Sequence, residues 1–541
     1  MGGKMGRKGK HNPLIECAIA VILASTGADA QTALSPRAAA WWQDIAVIAD
    51  DKTEGRQTGS PGYMIAADYV VSRFKALKLA PAGSQGSYLQ QVGFEQQVVD
   101  LGASTASLIG PGGKETPLKV GETMLILANG GPRPAHIDAP LVFAGYGLHM
   151  PDRGYDDFKG LDVRGKIVAV IAGGPADLPG AAKAAARNGR AALLGKLGAI
   201  GLITLTSPAQ VEIPWGRRQI LAPMPGMYLA DKSLRDMPDN MFYARFNPDQ
   251  SELLFAGSGY SFAELAAIAD ASGKMPAFAL RRRMKADIVA HRTQLASPNV
   301  VAKLEGDDPK LKSEYVVLSA HLDHLGIGAP IDGDRIYNGA MDDASGVASV
   351  LDIADQLAAG SRPKRSILFL IVTAEEKGLL GSQFFAQHPT VPKTAIVADL
   401  NLDAPLPLWP LKTVLVQGEH ESTPGNVARD VAEQRGLRLI ADPLPDRNSF
   451  TRTDQYSFVK AGIPALAFKF GFEKGTPAFQ IENDWRISRY HAPSDDVNQP
   501  GIFKDEAVKF DDYVAAVTVA LANDPTRPTW LPTSQFRSFA R

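Results

Sequence analysis

From about residue 295 onward, the chain alternates short apolar segments with amphipathic ones, and this alternation limits its possible folds. Residues 315–318 are Tyr-Val-Val-Leu, and residues 367–372 are consecutive apolar residues, too few for a typical helix. Between these segments, apolar residues recur at the spacing of one helical face, at Val347, Val350, Leu351, Ala354 and Leu357. Strands that alternate with helices predict an α/β fold, with a mixed, mostly parallel sheet and helices on both faces.

Histidines and carboxylates cluster where these predicted strands end, which is where a parallel sheet binds its ligands. The clusters contain His321 and Asp323, Asp342 and Asp343, Glu375 and Glu376, Asp403, and Tyr490 and His491. Imidazole and carboxylate ligands without thiolates suit a catalytic zinc site, with Co or Mn as substitutes. The carboxylates exceed what one zinc needs, which favours two metal ions that share a bridging ligand.

The composition excludes several functional classes. The 541 residues are 45% hydrophobic and carry a formal net charge of −1. This chain can bury a large core, but it lacks the basic excess of proteins that coat nucleic acid or anionic membranes. Its single Cys excludes a disulfide framework and a cysteine-rich zinc module.

Residues 1–30 have the organisation of a secretory signal peptide. Basic residues crowd the first ten positions, residues 14–24 are mostly apolar, and Ala28-Asp29-Ala30 is a small-x-small cleavage motif. We predict cleavage near Ala30 and a secreted or periplasmic mature protein that does not contact the membrane after processing. A disordered leader or an anchored helix is the alternative.

Residues 135–285 differ in texture from the segments around them. They contain short apolar strands at 141–144, 166–171 and 201–204, with an alanine-rich helix around 180–197. We predict a smaller αβ domain here, inserted into a catalytic domain made of residues 31–134 and 286–541.

Together, the motifs resemble the dinuclear zinc aminopeptidases of the M28 metallopeptidase family. The resemblance rests on residues 319–323, 339–346, 375–382, 401–403 and 490–491, in that order. Residues 162–168 and 198–203 resemble a protease-associated (PA) domain, which many secreted members carry. The resemblance implies a zinc exopeptidase fold and an enzyme that removes N-terminal residues from peptides with a free N-terminus.

The resemblance also implies a set of metal ligands. His321 and Asp403 would hold one zinc ion, Glu376 and His491 would hold the other, and Asp342 would bridge the two.

Other roles follow from the same resemblance. Glu375 would be the general base, Asp323 would hydrogen-bond His321, and Tyr490 would donate to the developing oxyanion. A cis peptide bond is expected between Asp342 and Asp343. His324 lies near these motifs but is interpreted as a loop residue rather than a ligand.

Alternative functions remain open at this point. The same site would serve a carboxypeptidase, a dipeptidase or an N-acyl amide hydrolase, and Arg447 or Arg452 would then grip a terminal carboxylate. Glutaminyl cyclisation, which mono-zinc relatives perform, is disfavoured by the full ligand set. A binding module that has lost its metals is disfavoured because no ligand is missing.

Overall fold

A computed structural model describes residues 34–211, 213–447 and 449–540, so the predicted leader lies outside the described residues. The helices are α1 (Pro36–Ile48), α2 (Pro61–Ala76), α3 (Gly180–Asn188), α4 (Arg190–Lys196), α5 (Trp215–Leu221), α6 (Glu252–Phe255), α7 (Phe262–Asp270), α8 (Ser345–Ala359), α9 (Leu380–Gln387), α10 (Thr423–Gln434), α11 (Gln455–Lys460), α12 (Pro477–Ser488) and α13 (Lys504–Asn523). Among the described residues, every helix is too short or too polar to cross a membrane.

The strands belong to two large sheets and two small hairpins. They are β1 (Ala80–Pro81), β2 (Leu89–Val99), β3 (Thr105–Ile109), β4 (Glu115–Leu118), β5 (Met124–Ile126), β6 (His136–Ala144), β7 (His149–Met150), β8 (Tyr155–Asp156), β9 (Ile167–Ile171), β10 (Gly201–Leu205), β11 (Gly226–Leu229), β12 (Phe242–Phe246), β13 (Ala277–Asp287), β14 (Ala290–Leu304), β15 (Tyr315–His321), β16 (Gly326–Ile331), β17 (Asp334–Tyr337), β18 (Ser366–Val372), β19 (Ile396–Leu402), β20 (Thr413–Gln417), β21 (Arg438–Ile440) and β22 (Ala465–Phe470).

The larger sheet has the strand order β11-β2-β14-β18-β15-β19-β22-β20-β21, with β1 paired to β14. Its centre, from β18 through β15 and β19 to β22, is parallel. Antiparallel pairs flank this centre on both sides, at β14-β18 and at β20-β22. The predicted mixed α/β fold is therefore confirmed, with the parallel strands concentrated at the middle of the sheet.

Strand β18 shows why the apolar segment at 367–372 is a strand. Ile367, Phe369 and Ile371 face a core that includes residues of α1, α2, α8 and α13. Their neighbours Leu368, Leu370 and Val372 face a second core with residues of α9 and α11. Successive side chains point to opposite faces, so a strand that is covered by helices on both faces must be apolar throughout.

The smaller sheet has the order β4-β3-β13-β6-β9-β10-β12-β5 and forms a second α/β unit with its own core. Three of its strands, β3, β4 and β5, precede residue 135. This unit therefore begins near residue 105, which corrects the predicted boundary at residue 135. The assignment of this unit to the PA type stays a prediction.

Candidate metal centre

The predicted site residues lie at the carboxyl ends of neighbouring parallel strands. His321 is the last residue of β15, Glu375 and Glu376 follow β18, and Asp403 follows β19. Because β15 pairs in parallel with both β18 and β19, these three segments emerge at one edge of the sheet. Asp342 reaches the same edge from the turn before α8.

Asp342 lies between two groups of potential metal-binding side chains. The first group contains His321, Asp342 and Asp403. The Nε2 atom of His321 is 3.2 Å from Oδ1 of Asp342 and 3.9 Å from Oδ2 of Asp403. This is the grouping that the resemblance implies for the first ion.

The second group contains His324, Asp342 and Glu376. His491 adjoins it, since its Nε2 atom is 3.3 Å from Oδ2 of Asp342 and 3.1 Å from Oε2 of Glu376. The structure thus brings all the predicted ligands together and adds His324, which the sequence analysis interpreted as a loop residue. The sequence signal that could have placed His324 in the site is its position three residues after the end of β15.

Several nitrogen and oxygen atoms of this site that could bind a metal ion are buried without a hydrogen-bond partner among the described residues. They are Nε2 of His321, both ring nitrogens of His324, Oδ2 of Asp342 and Oε1 of Glu376. A buried polar atom that lacks a partner is costly, and such atoms are rare in folded proteins. Imidazole nitrogens and carboxylate oxygens that converge in this way fit divalent zinc-type ions. The individual metal roles stay predictions.

The charges of the site shift the pKa values of its members in opposite directions. Burial alone would raise the pKa of Asp342, but the neighbouring His321 and His491 hold it well below its usual range. Burial alone would lower the pKa of His491, but Glu376 and Asp342 raise it to about 9. The buried carboxylates and imidazoles therefore stabilise the charged forms of one another.

Asp343 holds the backbone of the site in position. Its Oδ2 accepts a hydrogen bond from the backbone N–H of His321 at 3.2 Å. Its Oδ1 accepts from Gly346 at 3.0 Å and from Ala404 at 2.9 Å. One carboxylate thus connects the ends of β15 and β19 to the start of α8. The peptide bond between Asp342 and Asp343 is cis, as predicted.

Asp323 contacts His321 through its main chain rather than through its carboxylate. The Nδ1 atom of His321 lies 3.0 Å from the backbone carbonyl oxygen of Asp323. The Asp323 carboxylate instead accepts from the hydroxyl of Thr58 at 3.0 Å and from the backbone N–H of Glu375 at 3.0 Å. The main chain of Asp323 orients the imidazole, and its side chain positions the Glu375 segment.

Glu375 lies beside the predicted metal ligands and belongs to neither of the two groups described above. Burial raises the pKa of its carboxyl well above the usual range, and the charges of Asp403 and Glu376 add to this effect. His321 opposes the shift. A carboxylate in such surroundings accepts a proton readily, as a general base must.

Tyr490 and the second unit complete one wall of the site. The Tyr490 ring stacks on His491 with a centroid distance of 3.9 Å. From α5 of the second unit, Arg217 donates to the Tyr490 carbonyl at 3.0 Å. A cleft of about 600 Å³ lies between the two units and is lined by Met224, Glu375, Tyr456, Tyr490 and His491, among others.

Arg56 has a fully buried side chain, whose guanidinium binds backbone carbonyls next to the site. It donates to the carbonyl of Leu322 at 2.8 Å, to that of Gly339 at 3.0 Å, and to that of Asn338. It also donates to the carbonyl of Ile48 at 3.1 Å. Arg56 therefore fastens the segments on both sides of the predicted metal ligands, a role that the sequence analysis did not assign.

We expect Arg56→Ala to destabilise the protein by about 3–5 kcal/mol, because it leaves buried carbonyls unpaired and removes a buried cation from an acidic region. The urea midpoint of unfolding, measured without added metal, checks this. Arg362, which is exposed, is the matched control, and its alanine variant should change stability by less than about 0.5 kcal/mol. Equal midpoints for the two variants would contradict the assigned role.

Comparison with known proteins relates this site to a peptidase family. The profile of peptidase family M28 matches residues 299–518, which include every predicted metal ligand. A probable zinc metalloprotease of Pyrenophora teres f. teres is 40% identical over 105 residues, which cover 19% of this chain and 22% of that protein. A vacuolar membrane protease of Clavispora lusitaniae is 29% identical over 177 residues, which cover 32% of this chain and 15% of that protein. The chain thus spans less than a quarter of the length of these relatives.

Solved structures also match along nearly the whole chain, and one of them is an aminopeptidase. The aminopeptidase from Aneurinibacillus sp. strain AM-1 is 19% identical, and the match covers 92% of this chain and 96% of that one, with a TM-score of 0.52. At this identity the likeness establishes the fold.

Proposed function

We propose that the chain is a zinc-dependent aminopeptidase, since the profile of peptidase family M28 matches its residues 299–518. The observation that carries the proposal is the cluster of unpartnered donor atoms around Asp342, at the carboxyl edge of the parallel strands. A pair of divalent cations held there would polarise a peptide carbonyl and lower the pKa of water. We assign His321 and Asp403 to one ion, Glu376 and His491 to the other, and Asp342 to both.

The chain's own residues account for the proton transfers and the binding of the substrate. Glu375 would take a proton from the attacking water and pass it to the leaving amine. Tyr490, whose ring is held against His491, would donate a hydrogen bond to the oxygen that gains negative charge. The buried carboxylates favour a positively charged substrate group, so a free α-amine would bind beside them.

A carboxypeptidase is the second candidate, and a specific observation favours it. The cleft between the two units is also lined by Arg218, Arg245 and Arg452. Guanidinium groups bind carboxylates in a bidentate manner, so these residues would suit the free C-terminus of a peptide.

Blocking one terminus at a time separates these candidates. We expect the protein to cleave a short peptide that has a free N-terminus and a C-terminal amide, and to leave intact the same peptide with an acetylated N-terminus and a free C-terminus. Liberated amino acids, identified by mass spectrometry, give the readout. Cleavage of the acetylated peptide from its free C-terminus would support the carboxypeptidase instead, and cleavage of neither peptide would count against both.

Glu375→Gln should reduce kcat by about 10²–10⁴-fold, because the amide cannot accept the proton from water. The variant should retain the metal content of the parent protein, since Glu375 is not assigned as a ligand. Steady-state kinetics together with elemental analysis check both statements. Near-normal turnover would place the general base elsewhere.

We also propose that the protein is exported, which rests on the layout of residues 1–30. Intact-mass measurement of the protein from its native source should give a chain that begins near Gln31. A full-length chain that starts at Met1 would refute this processing.

A further inference from the structure

We propose that His324 is a ligand of the second metal ion, so that this ion is held by His324, Asp342, Glu376 and His491. The inference rests on the proposed dinuclear centre and adds a protein ligand that the family resemblance does not assign.

The position of the His324 ring supports this assignment. The side chain is fully buried, and its Nδ1 atom lies 2.7 Å from Oε1 of Glu376 and 4.0 Å from Oδ2 of Asp342. Neither ring nitrogen has hydrogen-bond geometry with any partner among the described residues. The ring meets the His491 ring edge-on at a centroid distance of 5.7 Å. Two imidazoles thus approach the same pair of carboxylates from different directions.

The surrounding backbone is shaped to hold the ring there. The backbone N–H of His324 donates to the carbonyl of Arg56 at 3.2 Å, which fixes the chain direction. Gly339 has a positive φ of 59° and lies directly against the ring. A Cβ atom at Gly339 would come within 2.6 Å of Cγ of His324, so glycine is required for the ring to occupy this place.

A core histidine that packs for structural reasons is expected to have a polar partner for its ring nitrogens. Here neither nitrogen has a partner in hydrogen-bond geometry, and the carboxylate oxygen 2.7 Å from Nδ1, Oε1 of Glu376, also lacks one. A shared cation removes the desolvation cost of both groups at once. Metal binding therefore explains an arrangement that is unfavourable without it.

The two ions would then differ in how completely the protein surrounds them. The first site offers three protein ligands, His321, Asp342 and Asp403, whereas the second offers four. Zinc in proteins is usually four-coordinate, and sites with four protein ligands are closed, whereas sites with three keep a position open. We infer that the second site binds its ion more tightly and that the first site, next to Glu375, is the more open one.

Metal binding by His324 variants tests the inference directly. We expect His324→Ala to lower the affinity for the second zinc ion by about 100-fold or more. Loss of a residue that only orients a ligand costs about 10- to 100-fold in affinity, and loss of a ligand should cost at least as much. Competition with a chromophoric chelator measures the two affinities. The zinc content after dialysis, measured by elemental analysis, should fall from about two ions per chain in the parent protein to about one in the variant. His420→Ala is the matched control, since the His420 side chain is 75% exposed.

A second measurement uses the unmodified protein and does not depend on the folding of a variant. In the Co²⁺-substituted protein labelled with ¹⁵N-histidine, each coordinated imidazole gives hyperfine-shifted nitrogen resonances. We expect three coordinated imidazoles, from His321, His324 and His491.

The outcomes separate this inference from the proposed function. Two tight ions in both the parent protein and His324→Ala, or only two shifted imidazoles, would overturn the role of His324 alone. A parent protein that binds no zinc under these conditions would overturn the dinuclear centre and the inference with it.

Discussion

The concentration of buried carboxylates at one edge of the sheet is the constraint on which the rest of the site depends. Asp323, Asp342, Asp343 and Asp495 are all buried there within a small volume. Burial raises the pKa of Asp495 to about 6, which shows how unfavourable its negative charge is in this environment. Such an arrangement requires nearby cations, and the buried guanidinium of Arg56 is one that the chain itself supplies.

The buried carboxylates fall into two classes according to what they accept. Asp343 and Asp495 accept hydrogen bonds from backbone N–H groups, including those of His321 and Met341. Asp342 and Glu376 each keep a buried oxygen without a hydrogen-bond partner among the described residues. The first class positions the main chain, and the second supplies the oxygens that we assign to the proposed metal ions. The adjacent Asp342 and Asp343 therefore have different roles: Asp343 binds backbone N–H groups, whereas Asp342 keeps an oxygen without a hydrogen-bond partner among the described residues. Their shared residue type does not reveal this difference.

The sequence predicted the central sheet and the identity of the clustered residues because both depend on local patterns. The apolar segment at 367–372 has to be a doubly covered strand, and parallel strands bring the residues that follow them to one edge. The pattern did not reveal which atom of Asp323 contacts His321, since that depends on the turn after β15. The pattern also did not place His324 in the cluster, because its position depends on Gly339 and Arg56, which are distant in sequence.

The boundary of the second unit was misplaced for a similar reason. Strands β3, β4 and β5 are short and separated by turns, so they carry little periodic signal before the pairing of β3 with β13 is known. Long-range pairing, rather than local composition, decides to which sheet such segments belong.

The path of the chain between the two units limits how the cleft can open. The chain leaves the large sheet after β2, returns to its edge at β11, and leaves again before it re-enters through β14. Because β11 pairs with β2, the chain of the second unit is attached to the large sheet at a point between its two ends, as well as at those ends. A swing of the whole unit would have to break these backbone hydrogen bonds. The wall that this unit contributes to the site is therefore fastened both through β11 and through α5, whose Arg217 donates to the carbonyl of Tyr490 at 3.0 Å.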